Sequence, residues 1–510
     1  MPRRRRIAEA GAEPQFLREG ATAWRVAQAD RVALLVDGAA YFAAAKAAML
    51  KAKHSIWLLA WVFDPLTRLT PDRNKKSGDP ESADRLGLLL RRLSSLNPAL
   101  DVRILAWDMP WLIGAPQGLP CQRGRAYFVG SKVKYRLDHT LPRSACHHQK
   151  TLIIDGRIAF VSGGDLGADR WDTCEHDDHA PERRLPSGKR YPARHEMTLM
   201  VDGPAVNVLS DLFCQRWSAV TGETPTLPPA STEEDSTPWP DVIAPDMRRQ
   251  PFGVARTMPH WKKDPGAEEC LDLHLAAIAK AKKTIYIENQ YLTSRLIVEA
   301  LALRLDEPDG PEVIVIGPAA SPSYFDQMTM DSARTLAMNR LHDADKFGRF
   351  SAYCARTPGD QPIIVHAKVL IVDDWLLKVG STNLNNRSTG LDSELDVAVE
   401  ATDEETCISI RAFRHREIAH FLGREPEDIV AAIHEHGSIG KAIDVLDTGP
   451  TRRLRPMCKE EIKGLAGFVA TRALGDPLRP GDAWRPWVRR RHIRRDIQRR
   501  LPQVQLPPEP

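Results

Sequence analysis

One pattern constrains this chain more than any other: His148-Gln149-Lys150 followed by Asp155 returns as His366-Ala367-Lys368 followed by Asp373. Both copies spell H-x-K-x-x-x-x-D and run through mostly apolar residues into a small-residue turn, Ser162-Gly163-Gly164 in the first and Gly380-Ser381 in the second. Each then places a polar residue ten positions after its aspartate, Asp165 and Asn383. The surroundings repeat as well. Ala52-Lys53-His54-Ser55-Ile56-Trp57 is answered by Ala281-Lys282-Lys283-Thr284-Ile285-Tyr286, and Val102-Arg103-Ile104-Leu105 by Val313-Ile314-Val315-Ile316. A motif alone is weak, but a motif duplicated inside a duplicated setting implies two copies of one folding unit.

Each unit reads as α/β. Apolar strand-like runs (Leu34-Leu35-Val36, Ser55 to Phe63, Val102 to Trp107, Thr151 to Ile154, Ile158 to Val161) alternate with helical spacing, as at Tyr41, Phe42, Ala45, Ala48, Met49 and Ala52. The expected fold is therefore two repeated α/β-sandwich lobes related by a pseudo-twofold, with one site between them. The chain divides into a flexible basic arm at 1–30, a first lobe at 31–220, a linker rich in Pro, Ser and Thr at 221–250, a second lobe at 251–425, and a helical extension with a basic tail at 426–510. Between Asp165 and Arg194 the periodicity breaks into a long loop, and loops of that length inside a compact domain are usually functional or disordered.

Composition excludes several classes. No run of about 18 apolar residues could span a bilayer, and the Met1-Pro2-Arg3-Arg4-Arg5-Arg6 start leads into no apolar signal region. The expectation is a cytosolic protein with peripheral membrane association, export without a cleaved signal staying open. Eight cysteines lie scattered without C-x-x-C pairs, and neither Cys146-His147-His148 nor Cys174-x-His176 has a standard zinc spacing. No metal or other cofactor is called for. A net charge of +4 gives no bulk argument for nucleic acid.

In extended chain, side chains two apart project together, so His148 would act with Lys150 and His366 with Lys368. Two imidazoles and two ammoniums meeting across a pseudo-twofold suit a tetrahedral oxyanion such as a phosphodiester. One histidine can attack phosphorus while the other protonates the leaving oxygen. A carboxylate should stand behind each ring. Glu394, 28 residues after His366, and Glu196, 48 after His148, are the candidates.

At this point the sequence resembles the phospholipase D superfamily, whose two H-x-K-x(4)-D-x(6)-G-[GS] motifs face each other across a bilobed α/β sandwich. The resemblance covers roughly residues 32–425. It extends to Gly163-Gly164-Asp165-Leu166, Arg170-Trp171-Asp172, His195-Glu196, Ile287-Glu288-Asn289-Gln290 and Leu391-Asp392-Ser393-Glu394, which look like the phospholipase D and transphosphatidylase branch. It implies ping-pong transfer through a phosphohistidine, released by water or an alcohol. By analogy His148 is the nucleophile and His366 the general acid and base, an assignment that can be reversed. Lys150, Lys368, Asn383, Ser381 and Gly163 would surround the phosphate, Asp155, Asp373 and Asp165 would support the site, Glu394 would brace His366, and Glu196 would brace His148. Ser162 stands where the first motif usually has glycine.

The walls must choose the substrate. Trp111 after one strand, and Tyr324 and Phe325 after its counterpart, give apolar-aromatic loops suited to a lipid surface, and Trp171 is a candidate for a head-group pocket. In the tail, Val488, Ile493, Ile497 and Leu501 interleave with arginines, a pattern that binds anionic membranes. The leading expectation is a phospholipase D acting on glycerophospholipids, working as a monomer because both half-sites lie in one chain. The alternatives are a cardiolipin-synthase-like phosphatidyltransferase and a metal-independent nuclease, nucleic acid being the weaker substrate.

Overall fold

The computed structural model describes residues 16–71, 84–227, 237–321, 327–448, 452–462, 470, 472–473, 475–482 and 484–506. Tyr324 and Phe325 lie outside the described residues, as do the first 15 residues of the basic arm.

The first half supplies strands β1 (Arg25–Val36), β2 (Ser55–Ala60), β3 (Asp101–Trp107), β4 (Lys134–Asp138), β5 (Thr151–Ile154), β6 (Ile158–Ser162), β7 (Arg194–His195) and β8 (Met197–Asp202). The second supplies β9 (Met247–Met258), β10 (Ala267–Glu268), β11 (Thr284–Glu288), β12 (Glu312–Gly317), β13 (Phe350–Ala355), β14 (Ile364–Val365), β15 (Val369–Val372), β16 (Leu376–Gly380), β17 (Glu394–Glu400) and β18 (Leu454–Pro456). In sheet order the first half reads β1-β8-β6-β5-β2-β3-β4 and the second β9-β17-β16-β15-β11-β12-β13, with β18 added at the far edge. The two series correspond strand for strand. They join where β1 pairs antiparallel with β9, from Arg25 opposite Val254 to Val32 opposite Met247, so the repeats share one continuous sheet.

Both faces of that sheet are covered, which explains the near-continuous apolar strands. In β2, β5, β6 and β8 every residue is buried. The helices Asp37–Lys51 and Leu86–Leu96 close one face of the first half, with Tyr41, Phe42, Ala45, Ala48 and Met49 turned inward as their spacing predicts. The helices Glu269–Lys280 and Arg295–Asp306 do the same in the second half. On the other face one core draws Trp57 and Ile153 from the first half together with Tyr286 and Ile371 from the second, closed by the helices Ala205–Thr221 and Glu404–Leu422.

Two boundaries and one role differ from expectation. Residues 16–30 are not a loose arm: Phe16 and Leu17 are buried, and their N–H groups donate to the Glu400 carboxylate. The linker ends by residue 246, because Met247–Gln250 already pair in β9. Within it Trp239 is buried, with the Arg31 guanidinium 4.3 Å over its ring. The long loop 165–194 is fixed by buried Asp172, His176 and Arg183. The apolar stripe of the tail does not face outward. It belongs to the helix Pro486–Arg500, and Ile493, Ile497 and Leu501 pack into the helical core of the second half. What the helix turns outward is its arginines together with Trp487 in its first turn, 61% exposed.

Candidate active site

Each H-x-K segment is extended chain that has just left the partner half and is about to enter a central strand, β5 or β15. The entry is pinned across the pseudo-twofold. His148 N–H donates to Ser393 O at 2.9 Å, and His366 N–H donates to His195 O at 2.8 Å. The residues that follow those two carbonyls are Glu394 and Glu196, so the backbone pairing itself delivers a carboxylate to each ring. His148 Nδ1 lies 2.8 Å from Glu394 Oε2, and His366 Nδ1 lies 3.0 Å from Glu196 Oε2.

This corrects the expected pairing. Glu394 braces His148, not His366, and Glu196 braces His366, not His148. The physical reason is the crossover: the carboxylate-bearing strand of each half meets the motif of the other half before that motif enters its own sheet.

With Nδ1 of both rings engaged, Nε2 is the nitrogen left for chemistry. Each lysine folds back toward its own histidine, Lys150 Nζ donating to His148 O at 2.7 Å and Lys368 Nζ to His366 O at 2.5 Å. Burial lowers the pKa of both lysines, that of Lys368 far below the ordinary value. Burial is also the main cause holding both imidazoles well below their usual pKa, followed by Lys150 and Lys368 at His148, and by Lys368, Arg194 and Arg170 at His366. An anion seated between the ammoniums offsets that positive field.

The turns keep the halves close. A Cβ on Gly163 would stand 3.0 Å from His366 O and 3.2 Å from Lys368 Cδ, while one on Gly164 would stand 2.5 Å from Glu196 Oε1. Ser381 occupies the place of Gly163 in the second half. Its hydroxyl donates to Glu394, and its carbonyl lies 3.1 Å from His148 Nδ1. The two histidine–carboxylate pairs are therefore not equivalent. Glu394 is pushed up to about 8 by burial, against the opposing pull of Lys150. Glu196 is flanked instead by Arg194 Nη1 at 3.6 Å and Arg170 Nε at 4.0 Å.

Asp165 reaches the edge of this group: Oδ1 accepts the Trp61 N–H at 2.8 Å and Oδ2 lies 3.9 Å from Lys150. Asn383 is buried, its Oδ1 without a hydrogen-bond partner. Asp155 and Asp373 are not brought to the histidines. They sit in left-handed turns at the far ends of β5 and β15, with φ of 55° and 50°. Asp155 accepts the N–H groups of Lys53, His54 and Ser55, and Asp373 those of Lys282, Lys283 and Thr284. Those segments are the repeated helix-to-strand junctions of the sequence, so the motif aspartates clamp the hairpin to the start of β2 or β11.

Trp111 is 68 % exposed beyond β3. Trp171 is half-buried against the helical core of the first half and its carbonyl accepts the Tyr191 hydroxyl, a packing role. Sequence reasoning missed Trp61, whose ring stands 6.3 Å from that of His148 and 6.0 Å from Lys150 Nζ, backed by Trp107. It also missed Arg194 beside Glu196. Trp61 directly follows β2, the neighbour of the strand after the first motif, and Arg194 stands two residues before Glu196. A cavity of about 680 Å³ bordered by Thr293, Arg295, Arg472 and Arg494 lies elsewhere, between the helix Arg295–Asp306 and the C-terminal helix, and contains no motif residue.

Two α/β halves meeting over a pair of lysine-flanked, carboxylate-braced histidines define a duplicated protein with one composite site. Residues 274–415 match the family described as "Cardiolipin synthase, PLD-like domain". The chain is 24% identical to phospholipase D alpha 4 of Arabidopsis thaliana over 477 residues, covering 72% of this chain and 61% of that protein. It is 25% identical to cardiolipin synthase A of Pseudomonas putida over 312 residues, covering 61% of this chain and 51% of that one. The solved phosphatidylserine synthase of Haemophilus influenzae Rd KW20 shares the fold with a TM-score of 0.52, at 12% identity, over 77% of this chain and 87% of that chain. Over most of its length the chain is thus similar to enzymes of the phospholipase D superfamily. It spans about three-fifths of the length of the plant relative.

Proposed function

We propose that this protein transfers phosphatidyl groups as a phospholipase D: it cleaves the head-group phosphodiester of glycerophospholipids and passes the phosphatidyl group to water or an alcohol. The observation that carries the reading is the reciprocal bracing, His148 by Glu394 and His366 by Glu196, with one lysine beside each ring.

In this mechanism the His148 Nε2 lone pair attacks phosphorus. The bond from phosphorus to the head-group oxygen breaks, and His366 supplies the proton that the departing oxygen takes. Lys150, Lys368 and the Asn383 amide balance charge on the non-bridging oxygens. His366, now neutral, removes a proton from water or an alcohol, whose oxygen attacks phosphorus, and rupture of the P–N bond returns His148. The assignment of the two roles rests on their unlike settings. Glu196, between two guanidinium groups, is the carboxylate suited to stabilise a positively charged imidazole during proton transfer. His148 and Glu394, tied by Ser381, make the more rigid pair for a nucleophile.

Trp61 beside His148 and exposed Trp111 on the rim support a lipid as substrate. The second reading, a cardiolipin-synthase-like transferase using a second phospholipid as acceptor, is favoured by the family description that residues 274–415 match. The test is turnover of phosphatidylcholine, phosphatidylethanolamine and phosphatidylglycerol vesicles, with and without ethanol, against His148→Ala. Phosphatidic acid, replaced in part by phosphatidylethanol when ethanol is added, supports the first reading. Cardiolipin and glycerol from phosphatidylglycerol support the second. Silence on every lipid with cleavage of plasmid DNA would refute both.

A further inference from the structure

A second cluster of chemically capable side chains lies behind the active site and takes no part in the mechanism above. Asp37 at the start of the helix Asp37–Lys51, His176 from the long loop, His195 of β7 and His420 near the end of the helix Glu404–Leu422 converge from four separate elements. Asp37, His176 and His195 are buried, and the His420 side chain is 8% exposed.

Their orientation is that of ligands. His176 Nδ1 lies 3.0 Å from Asp172 Oδ2, which also accepts from Arg183 and from the Arg194 N–H and is therefore an acceptor here. The His176 proton thus belongs on Nδ1, and Nε2 presents a lone pair. That lone pair faces His420 Nε2 at 3.1 Å, and both nitrogens stand 3.6 Å from Asp37 Oδ2. Asp37 Oδ2 is buried and has no hydrogen-bond partner. His420 Nε2 either donates its proton to His176 Nε2 or, with the proton on Nδ1, presents a third Lewis-basic atom, and in that tautomer a cation between the three relieves their repulsion. A triangle with edges of 3.1, 3.6 and 3.6 Å has a circumscribed radius of about 2.0 Å, which matches zinc–nitrogen and zinc–oxygen bond lengths.

His195 supplies the fourth side. Its Nε2 lies 2.9 Å from Glu288 Oε2 and its Nδ1 3.0 Å from Asp37 Oδ1, so a cation bound here takes the place of the proton on Nδ1. One donor atom from each of the four residues lies within 4.8 Å of every other. Carboxylates behind His176 and His195 are the usual support of metal-bound imidazoles, holding tautomer and ring plane.

We propose that Asp37, His176, His195 and His420 form a closed structural zinc site. It would join the long loop and the first helix of one half to a helix of the other. It would also hold the segment that carries Glu196, because Asp37 N–H donates to Glu196 O at 2.9 Å and Asp37 Oδ1 accepts the Glu196 N–H at 3.1 Å. The ion has no open position and takes no part in phosphoryl transfer.

The test uses the full chain without a histidine tag, dialysed against zinc and then against metal-free buffer. Elemental analysis is expected to give one zinc per chain, a chelator such as 1,10-phenanthroline to lower the melting temperature, and added zinc to restore it. Cobalt(II) in place of zinc should give the visible absorption of a tetrahedral site. His176→Gln and His420→Gln should each remove the bound zinc. The measurements on the unmodified chain decide the matter if those variants fold poorly. No zinc above background, with a melting temperature indifferent to chelator, would overturn the site and leave a hydrogen-bonded histidine network. So would zinc that both variants retain, which would be surface binding only.

Discussion

Asp155→Ala separates a structural from a catalytic reading of the motif aspartate. The carboxylate is 4% exposed and accepts three backbone N–H groups, from Lys53, His54 and Ser55, at 2.9, 2.7 and 2.8 Å. Their surroundings decide what the loss costs. Lys53 is exposed, so water replaces the carboxylate there at little expense, whereas Ser55 is fully buried. Leaving a buried donor without a partner costs about 1–3 kcal/mol, and half-buried His54 adds roughly 1 kcal/mol. Alanine in a left-handed turn at φ 55° adds about 1 kcal/mol more. The sum is about 3–5 kcal/mol, a large part of the roughly 5–15 kcal/mol that holds a typical domain folded. Asp373→Ala should cost less, about 1–3 kcal/mol, because Lys282 and Lys283 are both exposed. Urea unfolding followed by tryptophan fluorescence measures both. The folded Asp155→Ala protein, assayed well below its midpoint, should keep kcat within about twofold. A roughly thousandfold loss of kcat with an unmoved midpoint would refute the reasoning and return Asp155 to the chemistry.

Three further outcomes follow from the geometry. In the proposed mechanism His148 attacks with its Nδ1 proton held by an ionised Glu394; since that carboxyl is pushed up to about 8, kcat/KM should rise with pH through that value and level off above it, and Glu394→Gln should remove this limb and lower the rate by roughly 10²–10⁴-fold, whereas a flat wild-type profile from about pH 6 to 9 would contradict the assignment. Ile497→Ala opens a cavity in the helical core of the second half and should lower stability by about 2–5 kcal/mol without changing liposome flotation; lost flotation at unchanged stability would revive the membrane reading of the tail. Trp111→Ser should reduce turnover of vesicles by roughly tenfold while sparing a short-chain soluble phosphodiester, the difference expected when an exposed aromatic serves the interface; equal effects on both substrates would show that Trp111 acts in the cleft itself.

Much of the molecule was legible in the sequence because duplication is visible there. The paired His-x-Lys motifs, the matched small-residue turns and the repeated helix-to-strand junctions each fall where the structure places equivalent strands. What the sequence hid are relations across the pseudo-twofold. Glu394 follows His366 and Glu196 follows His148, and nothing in the spacing says that each carboxylate-bearing strand crosses to the other half. Apolar runs in β1 and β9 announce buried strands but not that they pair with each other. In the tail, a 3.6-residue period announces a covered face without naming what covers it, and the core of the second half was as available as a membrane. Cys174 drew attention to His176 for the wrong neighbour. The cysteine is exposed, and the histidine points to side chains remote in sequence.

The cross-bracing also limits how this site could have been built. Neither half holds a complete histidine–carboxylate pair of its own, so a single copy of the unit could assemble such a pair only by meeting a second copy across the same twofold. Fusion into one chain keeps that geometry and frees the two positions to diverge. Ser381 opposite Gly163 is where the divergence is visible. A hydroxyl fits against Glu394 because the first half leaves room for it, but a Cβ on Gly163 would crowd His366 and Lys368. The same scaffold thus places one carboxylate beside a serine and the other beside two arginines. The proposed ping-pong transfer needs one histidine that attacks and one that carries a proton, and unlike surroundings for the two rings are how a symmetric fold would supply them.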